Sequence, residues 1–123
     1  MHSDPIADLL NRLKLAVKAQ HEQLSVPASK LKLTILNILK KNHYIADFKT
    51  ENNEILITLN PEIKTLDAKK VSKPGQRIYL KKTEIKAVKN GFGIAVYSTS
   101  RGMMTGREAR KHQTGGELIC EIY

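Results

Sequence analysis

The stretch Tyr44-Ile-Ala-Asp-Phe-Lys-Thr-Glu-Asn-Asn-Glu-Ile-Leu-Ile-Thr-Leu59 decides the fold. Tyr44, Ala46 and Phe48 alternate with Ile45, Asp47 and Lys49, Glu51 to Glu54 forms a polar turn, and Ile55, Ile57 and Leu59 alternate again. Period-two alternation on both sides of a polar turn is the pattern of a β-hairpin with one buried face. Two helical patterns come before it. Asp4 sets a capping carboxylate ahead of Pro5, and Ile6, Leu9, Leu10, Leu13 and Val17 then recur at helical spacing. After an extended piece, Gln23 to Val26, Pro27 and Ser29 signal a second helix that runs to Asn42. Leu31, Ile35, Ile38 and Leu39 make its expected buried stripe, with Lys30, Lys32, Lys40 and Lys41 off that stripe. The order α-β-α-β-β predicts a two-layer unit, helices on one face of a small sheet.

Asn60-Pro61 punctuates the chain, and the pattern beyond it differs. Residues 62 to 71 suggest a strand only weakly, and Ser72-Lys73-Pro74-Gly75 is a turn. Arg77 to Lys81 alternates like a strand. Thr83 with Glu84-Ile85-Lys86-Ala87-Val88 reads as one or two helical turns, stopped at Asn90-Gly91, and Ile94 to Ser98 is a strand. Thr105 with Glu108 is a capping-box pattern opening a helix to about His112. Gly115-Gly116 breaks that helix, and Glu117 to Tyr123 alternates as a last strand. The reading is an α+β fold in two small domains: an N-terminal α/β domain over 1–62 and a β-rich C-terminal α+β domain with short helices over 63–123.

The chain has 123 residues with 21 Lys plus Arg against 12 Asp plus Glu, a formal charge of +9 that favours polyanions such as nucleic acid or an acidic membrane surface. Residues 1–60 carry eight basic and six acidic side chains, net +2, and residues 61–123 carry thirteen and six, net +7. Residues 69–89 alone hold eight basic side chains against Glu84. These basic residues interleave with Val71, Ile78, Tyr79, Leu80, Ile85 and Val88, so the segment folds and presents its charges from a scaffold. A single Cys120, expected as a small buried hydrophobe, excludes an internal disulfide framework and a multi-cysteine metal site. The N-terminus has no secretory pattern, and no apolar run reaches the roughly 18 residues of a membrane span, so a cytoplasmic protein is expected.

Catalytic constellations are not supported. His2, His21, His43 and His112 lack metal-ligand spacing, and Gly91-Phe92-Gly93 lacks the third glycine of a dinucleotide loop. Ser98 and Ser100 lie in no nucleophile elbow, and no enzyme activity or cofactor is expected. The run Ser98-Thr99-Ser100-Arg101-Gly102 instead crowds three hydroxyls and a guanidinium into the end of a strand. Hydroxyls donate and accept to phosphate, ribose and base edges, and Arg adds a planar charged fork, a combination that suits RNA. The same residues also fit a polar turn whose hydroxyls bond their own backbone. Gly115-Gly116-Glu117 reads either as a flexible turn or as close backbone approach to a ligand followed by an acceptor carboxylate.

The string Val71-Ser-Lys-Pro-Gly-Gln-Arg-Ile-Tyr79, the run Asn90 to Arg110 with Ser-Thr-Ser-Arg-Gly-Met-Met-Thr inside it, and Gly115-Gly-Glu117 resemble the C-terminal half of small-subunit ribosomal protein eight in its bacterial or organellar form. Asp4-Pro-Ile-Ala-Asp8 and Ser29-Lys-Leu-Lys32 resemble the same family's first and second helices, so the likeness spans essentially the whole chain. That resemblance implies a primary binder of 16S-type ribosomal RNA, acting on an irregular helix of the central domain and helping to assemble the subunit platform. Carried over, Ser98, Thr99, Ser100, Arg101 and Gly102 form the recognition loop, with Thr105 and Glu117 beside it. Arg77, Tyr79 and Lys82 flank it, and Ser29, Lys30 and Lys32 touch RNA from the N-terminal domain. The resemblance also implies neighbouring small-subunit proteins, the fifth and twelfth families among them, and binding of the operon messenger. A free translational repressor of ribosomal-protein messenger is the alternative reading. The chain departs from the pattern at Lys14-Leu15-Ala16, where an Arg-Asn pair and a small residue are usual, and at Gly106, where an acid is usual.

Overall fold

The computed structural model describes residues 4–73, 75–85 and 93–123. The fold is α+β with antiparallel sheets, in the order α1 (Pro5–Lys18), β1 (Gln23–Pro27), α2 (Lys30–Lys41), β2 (Ile45–Glu51), β3 (Glu54–Leu59), β4 (Ala68–Lys70), β5 (Tyr79–Leu80), β6 (Ile94–Thr99), β7 (Gly102–Thr105), α3 (Gly106–Lys111) and β8 (Gly116–Ile122). Two compact units divide the chain, Met1–Leu66 and Asp67–Tyr123.

In the first unit the sheet order is β1-β3-β2, so β3 is central and its Ile55, Ile57 and Leu59 are buried. The hairpin closes through Asn52 and Asn53, both at positive φ (52° and 63°), between the paired Glu51 and Glu54. Two successive left-handed residues match the strand twist of a two-residue hairpin loop, and Asn tolerates that conformation better than most residues. The expected alternation of Tyr44, Ala46 and Phe48 does not survive: the register shifts between Ile45 and Asp47. Ile45, Phe48 and Thr50 therefore pair with Leu59, Ile57 and Ile55, and the bulge carries Ala46 out of phase.

Helix α1 buries the expected stripe, with Ala16 added, and its N-cap Asp4 accepts from the Ile6 and Ala7 amides at 3.1 Å. Helix α2 is turned relative to expectation. Leu31 is exposed, whereas Leu36 and Lys32 are buried beside Ile35, Ile38 and Leu39. Lys32 takes that position because its ammonium donates to the Pro27 carbonyl at 3.1 Å while its stem packs inward.

The three helices among the described residues end in the same way, with a non-glycine residue at positive φ: Gln20 (59°), His43 (64°) and Gln113 (53°). The following amides reach back into the last turn, His21 to Ala16, Tyr44 to Leu39 and Thr114 to Ala109. This is the Schellman arrangement, which glycine fits without the roughly 1 kcal/mol cost of a left-handed side-chain residue. The His43→Gly substitution is thus expected to raise stability by about 0.5 to 1 kcal/mol in urea unfolding.

The second unit is built on a sheet of order β4-β8-β6-β7, with β5 also paired to β8. Its α3 side packs Tyr97, Met104, Ala95, Ile85 and Ala109, with Leu80, Leu118 and Tyr123 partly buried against them. The strand expected over Arg77 to Lys81 is shorter, Tyr79–Leu80. Lys82 to Glu84 forms a turn closed by the Glu84 side chain accepting from the Lys81 amide at 2.8 Å. The helical turns expected through Lys86, Ala87 and Val88 and the stop at Asn90-Gly91 lie outside the described residues. Strand β7 was not expected: Met103-Met104 has no strand pattern of its own and becomes one by pairing with Ser98 and Tyr97. Cys120 is fully buried, as expected of a small hydrophobe. Among the described residues, no helix is long and apolar enough to cross a membrane.

Candidate nucleic-acid interface

Register alone aligns three candidate side chains and a fourth residue, Met103. Tyr79 of β5 pairs with Glu117 of β8, Glu117 with Ser98 of β6, and Ser98 with Met103 of β7. Directly paired residues of antiparallel strands share a face, so these side chains form a row across four strands. At one end Tyr79 is 64 % exposed, an unusual position for an aromatic that no core claims. The Arg77 guanidinium lies 3.9 Å from the Glu117 carboxylate. Its pKa is raised above the ordinary value by a hydrogen bond with the Tyr79 side chain and, after that, by the Glu117 charge. Arg77 is exposed while the Glu117 side chain is mostly covered, so the carboxylate sits against the protein surface with the guanidinium at its outer side.

Two structural devices set this row. The first is Gly115-Gly116. A Cβ on Gly115 would stand 2.4 Å from the Leu80 carbonyl oxygen, and one on Gly116 would stand 2.4 Å from that of Ser98. The pair lets the start of β8 wedge between β5 and β6, which delivers Glu117 between Tyr79 and Ser98. The close approach read from the glycines is therefore to neighbouring strands. The second device is Ser72, which sequence reasoning saw only as part of a turn. Its hydroxyl is buried, donates to the Leu118 carbonyl at 2.6 Å and accepts from the Ile78 amide at 2.9 Å, tying the Arg77–Tyr79 segment to β8. A Ser just ahead of Lys-Pro-Gly was the only signal for it. Met103 was missed as well, because nothing marks it until β7 exists.

The run Ser98 to Gly102 is a tight hairpin rather than an open loop. Ser98 and Thr99 belong to β6, Gly102 opens β7 at φ 109°, and Ser100-Arg101 is the tip. Thr99 closes it: its hydroxyl donates to the Gly102 carbonyl at 2.8 Å and accepts from the Arg101 amide at 3.1 Å. For Thr99 the backbone-bonding reading applies. Ser100 and Arg101 project at the exposed tip, with an Arg101 guanidinium nitrogen 3.4 Å from His112 Nδ1.

Thr105 and Lys32 are placed differently from expectation. Thr105 is buried, and its hydroxyl accepts from the Glu108 amide at 3.2 Å and donates to the Glu108 carboxylate at 3.1 Å in a full capping box. It anchors α3 and offers no surface hydroxyl. Lys32 is spent on Pro27, as described, and Ser29 is the N-cap that accepts from the Lys32 amide at 3.2 Å, which leaves Lys30 as the exposed cation of that trio. Lys82 is exposed just past β5. The structure thus brings Arg77, Tyr79, Ser98, Ser100, Arg101 and Glu117 to one end of the second unit's sheet, and Ser29, Lys30 and Lys32 belong to the first unit.

Fold and site define a small basic α+β protein whose sheet ends in an exposed aromatic and guanidinium beside a half-covered hydroxyl and carboxylate. The model of the family described as ribosomal protein S8 matches residues 4–123, so the chain belongs to the ribosomal protein S8 family, a structural and non-enzymatic family of the ribosome. Curated relatives named small ribosomal subunit protein uS8 agree across the full length. That of Acidobacterium capsulatum is 45 % identical over 129 residues, covering 98 % of each chain, and that of Nitratidesulfovibrio vulgaris (Miyazaki F) is 48 % identical over 128 residues, covering 100 % of each. The Solibacter usitatus relative is 41 % identical over 133 residues, again covering 100 % of each chain.

Proposed function

We propose that this chain is a structural constituent of the small ribosomal subunit that binds 16S-type ribosomal RNA directly, through its C-terminal unit, at an irregular helix whose bases are accessible. The observation that carries the reading is the row Tyr79–Glu117–Ser98 with the Ser100-Arg101 tip beside it. Duplex RNA hides its base edges in a deep groove, so sequence-dependent recognition falls on unpaired or splayed bases. An exposed ring offers a stacking surface, hydroxyls and a fork of N–H donors reach ribose and phosphate, and a carboxylate accepts from base amino groups. A carboxylate in an electropositive field repels phosphate, and Arg77 offsets that charge while holding it in place. The surplus of Lys and Arg supplies attraction that is blind to sequence and falls with salt. In this reading Lys82 adds flanking charge, Thr105 and Ser72 act by positioning, and Lys30 adds a contact from the N-terminal unit. The chain then resides on the ribosome in the cytoplasm, next to other small-subunit proteins, with the fifth and twelfth families as the proposed neighbours.

The two kinds of contact separate by measurement. Ser100→Ala is expected to cost about 1 to 3 kcal/mol of binding to a central-domain rRNA fragment and to leave binding to an unrelated RNA unchanged. Lys82→Ala is expected to weaken both and to lower the salt slope by about 1. Filter binding over a salt series reads both quantities. A neutral Ser100→Ala against the cognate fragment sinks the hairpin assignment. Loss of the protein from small subunits in a high-salt wash would instead favour a free messenger repressor.

A further inference from the structure

The first unit carries a surface that the RNA reading leaves unused, where the open edge of its sheet meets α1. Among the described residues β1 is an edge strand, paired with β3 alone. The Leu59 amide donates to the Glu22 carbonyl and the Ala28 amide to the Asn53 carbonyl, each at 2.9 Å. Bonded positions alternate along an antiparallel ladder, so Glu22, Leu24, Val26 and Ala28 turn their backbone groups toward β3. Gln23, Ser25 and Pro27 turn theirs outward. Pro27 has no N–H, and its carbonyl already accepts from Lys32, which blunts that end of the edge. The N–H and C=O groups of Gln23 and Ser25 are left as a short template for strand addition.

Beside this template lies a groove of about 640 Å³ whose lining includes Leu15, Ala19 and Leu24 together with Arg12 and Lys18. Leu15 is 59 % exposed on α1. The charged lining is cationic, Arg12 also holding Asp8 at 3.0 Å, and none of the lining residues is acidic. Side chains of a strand alternate, so every second residue of an added strand enters this groove while its neighbours face away. Apolar floor, cationic rim and open backbone edge together select an extended polypeptide with apolar residues between carboxylates. An RNA strand would meet an exposed leucine, with His21 as its one stacking ring among the lining residues and no Phe, Tyr or Trp.

We propose that the β1 edge and the α1 groove form a docking site for an extended acidic-apolar segment of a partner protein, added as a fourth strand next to β1 with an apolar side chain on Leu15 and Leu24. The test uses the full chain, isotope-labelled, and a fluorescent peptide of sequence acetyl-Glu-Val-Asp-Leu-Glu-Val-Asp-amide. Binding is expected to shift the Gln23 and Ser25 amide signals and to protect them from hydrogen exchange. Leu15→Glu is expected to weaken it by at least about tenfold. Ser25→Pro, which removes an outward N–H, is expected to do the same. Ser25→Ala keeps that N–H while losing the hydroxyl bond to Glu54, and it is expected to bind like the parent. If Ser25→Pro loses the parent's amide dispersion, Leu15→Glu carries the decision, because its side chain is on the surface. Absence of peptide binding overturns the proposal, as does equal binding by the parent and Leu15→Glu. Peptide displacement by a single-stranded oligoribonucleotide, with no amide protection at Gln23 and Ser25, also overturns it and makes the surface a nucleic-acid one.

Discussion

Tyr97→Ala is expected to lower the unfolding free energy of the C-terminal unit by about 3 to 5 kcal/mol, the range for truncating a large buried aromatic. Tyr97 is 2 % exposed, the largest fully buried side chain among the described residues, in contact range of the core that joins β6, β7 and α3. Its ring also explains Gly106: a Cβ there would sit 3.1 Å from the Tyr97 ring and 3.2 Å from Ile85. The first turn of α3 thus lies flush on the ring, and the capping box of Thr105 and Glu108 supplies the stabilisation that an acid at position 106 would otherwise add. Losing the ring leaves a cavity under α3 that neighbours such as Met104 fill only in part. The check is urea unfolding followed by amide signals of both units, with loss confined to residues beyond Asp67; an unchanged midpoint for those residues contradicts the packing described. Burial and then the Glu121 charge push the Tyr97 phenol above its ordinary pKa. A folded-state pKa above the unfolded one favours the protonated form, so this contribution is complete below the unfolded pKa and is lost as pH rises through the folded one. The unit should therefore weaken in alkali, and Tyr97→Phe should weaken less.

Gly116→Ala is expected to reduce affinity for the cognate rRNA fragment by about 1 to 3 kcal/mol or more while the chain still folds, because overpacking of this kind commonly costs a similar amount in stability. A Cβ at 2.4 Å from a backbone oxygen has no flexible neighbour to push aside, and the next atoms it meets are the Thr99 methyl at 3.0 Å and the Ser98 carbonyl carbon at 3.1 Å. The relief available is to part β8 from β6, which moves Glu117 away from Ser98 and shifts the hairpin tip. Titration of the fragment, read beside amide shifts at Ser98, Thr99 and Glu117, tests it. Parent-like affinity with displaced shifts would mean that the row is not the binding surface. Gly115→Ala makes the matching experiment on the β5 side, where the Leu80 carbonyl is the obstacle.

Much of the architecture was legible in local signals. The Asp4-Pro5 cap, the polar turn between two alternating runs and the Thr105–Glu108 box each depend on neighbours a few residues away, so sequence spacing contains them. The errors have one cause. Lys32 became a core-facing residue because a carbonyl of β1 was in reach, Ala46 fell into a bulge because β3 imposed its register, and Met103-Met104 became a strand because β6 lay beside them. None of those partners is close along the chain. The site divides in the same way: Ser100 and Arg101 at an exposed tip were readable, whereas Thr99 bonds its own turn, Thr105 is a cap, and Ser72 works through Leu118 and Ile78.

By itself the sequence determined a basic α+β chain with its surplus charge in the second half, a hydroxyl-rich turn, and a family resemblance that the comparisons uphold. Only the tertiary structure decided which hydroxyls face outward, that two glycines bring three strands close enough to line up Tyr79, Glu117 and Ser98, and that the β1 edge stays open beside Leu15. Composition and spacing record which groups a chain owns, but whether a group is exposed or already bonded depends on what packs against it from far along the sequence.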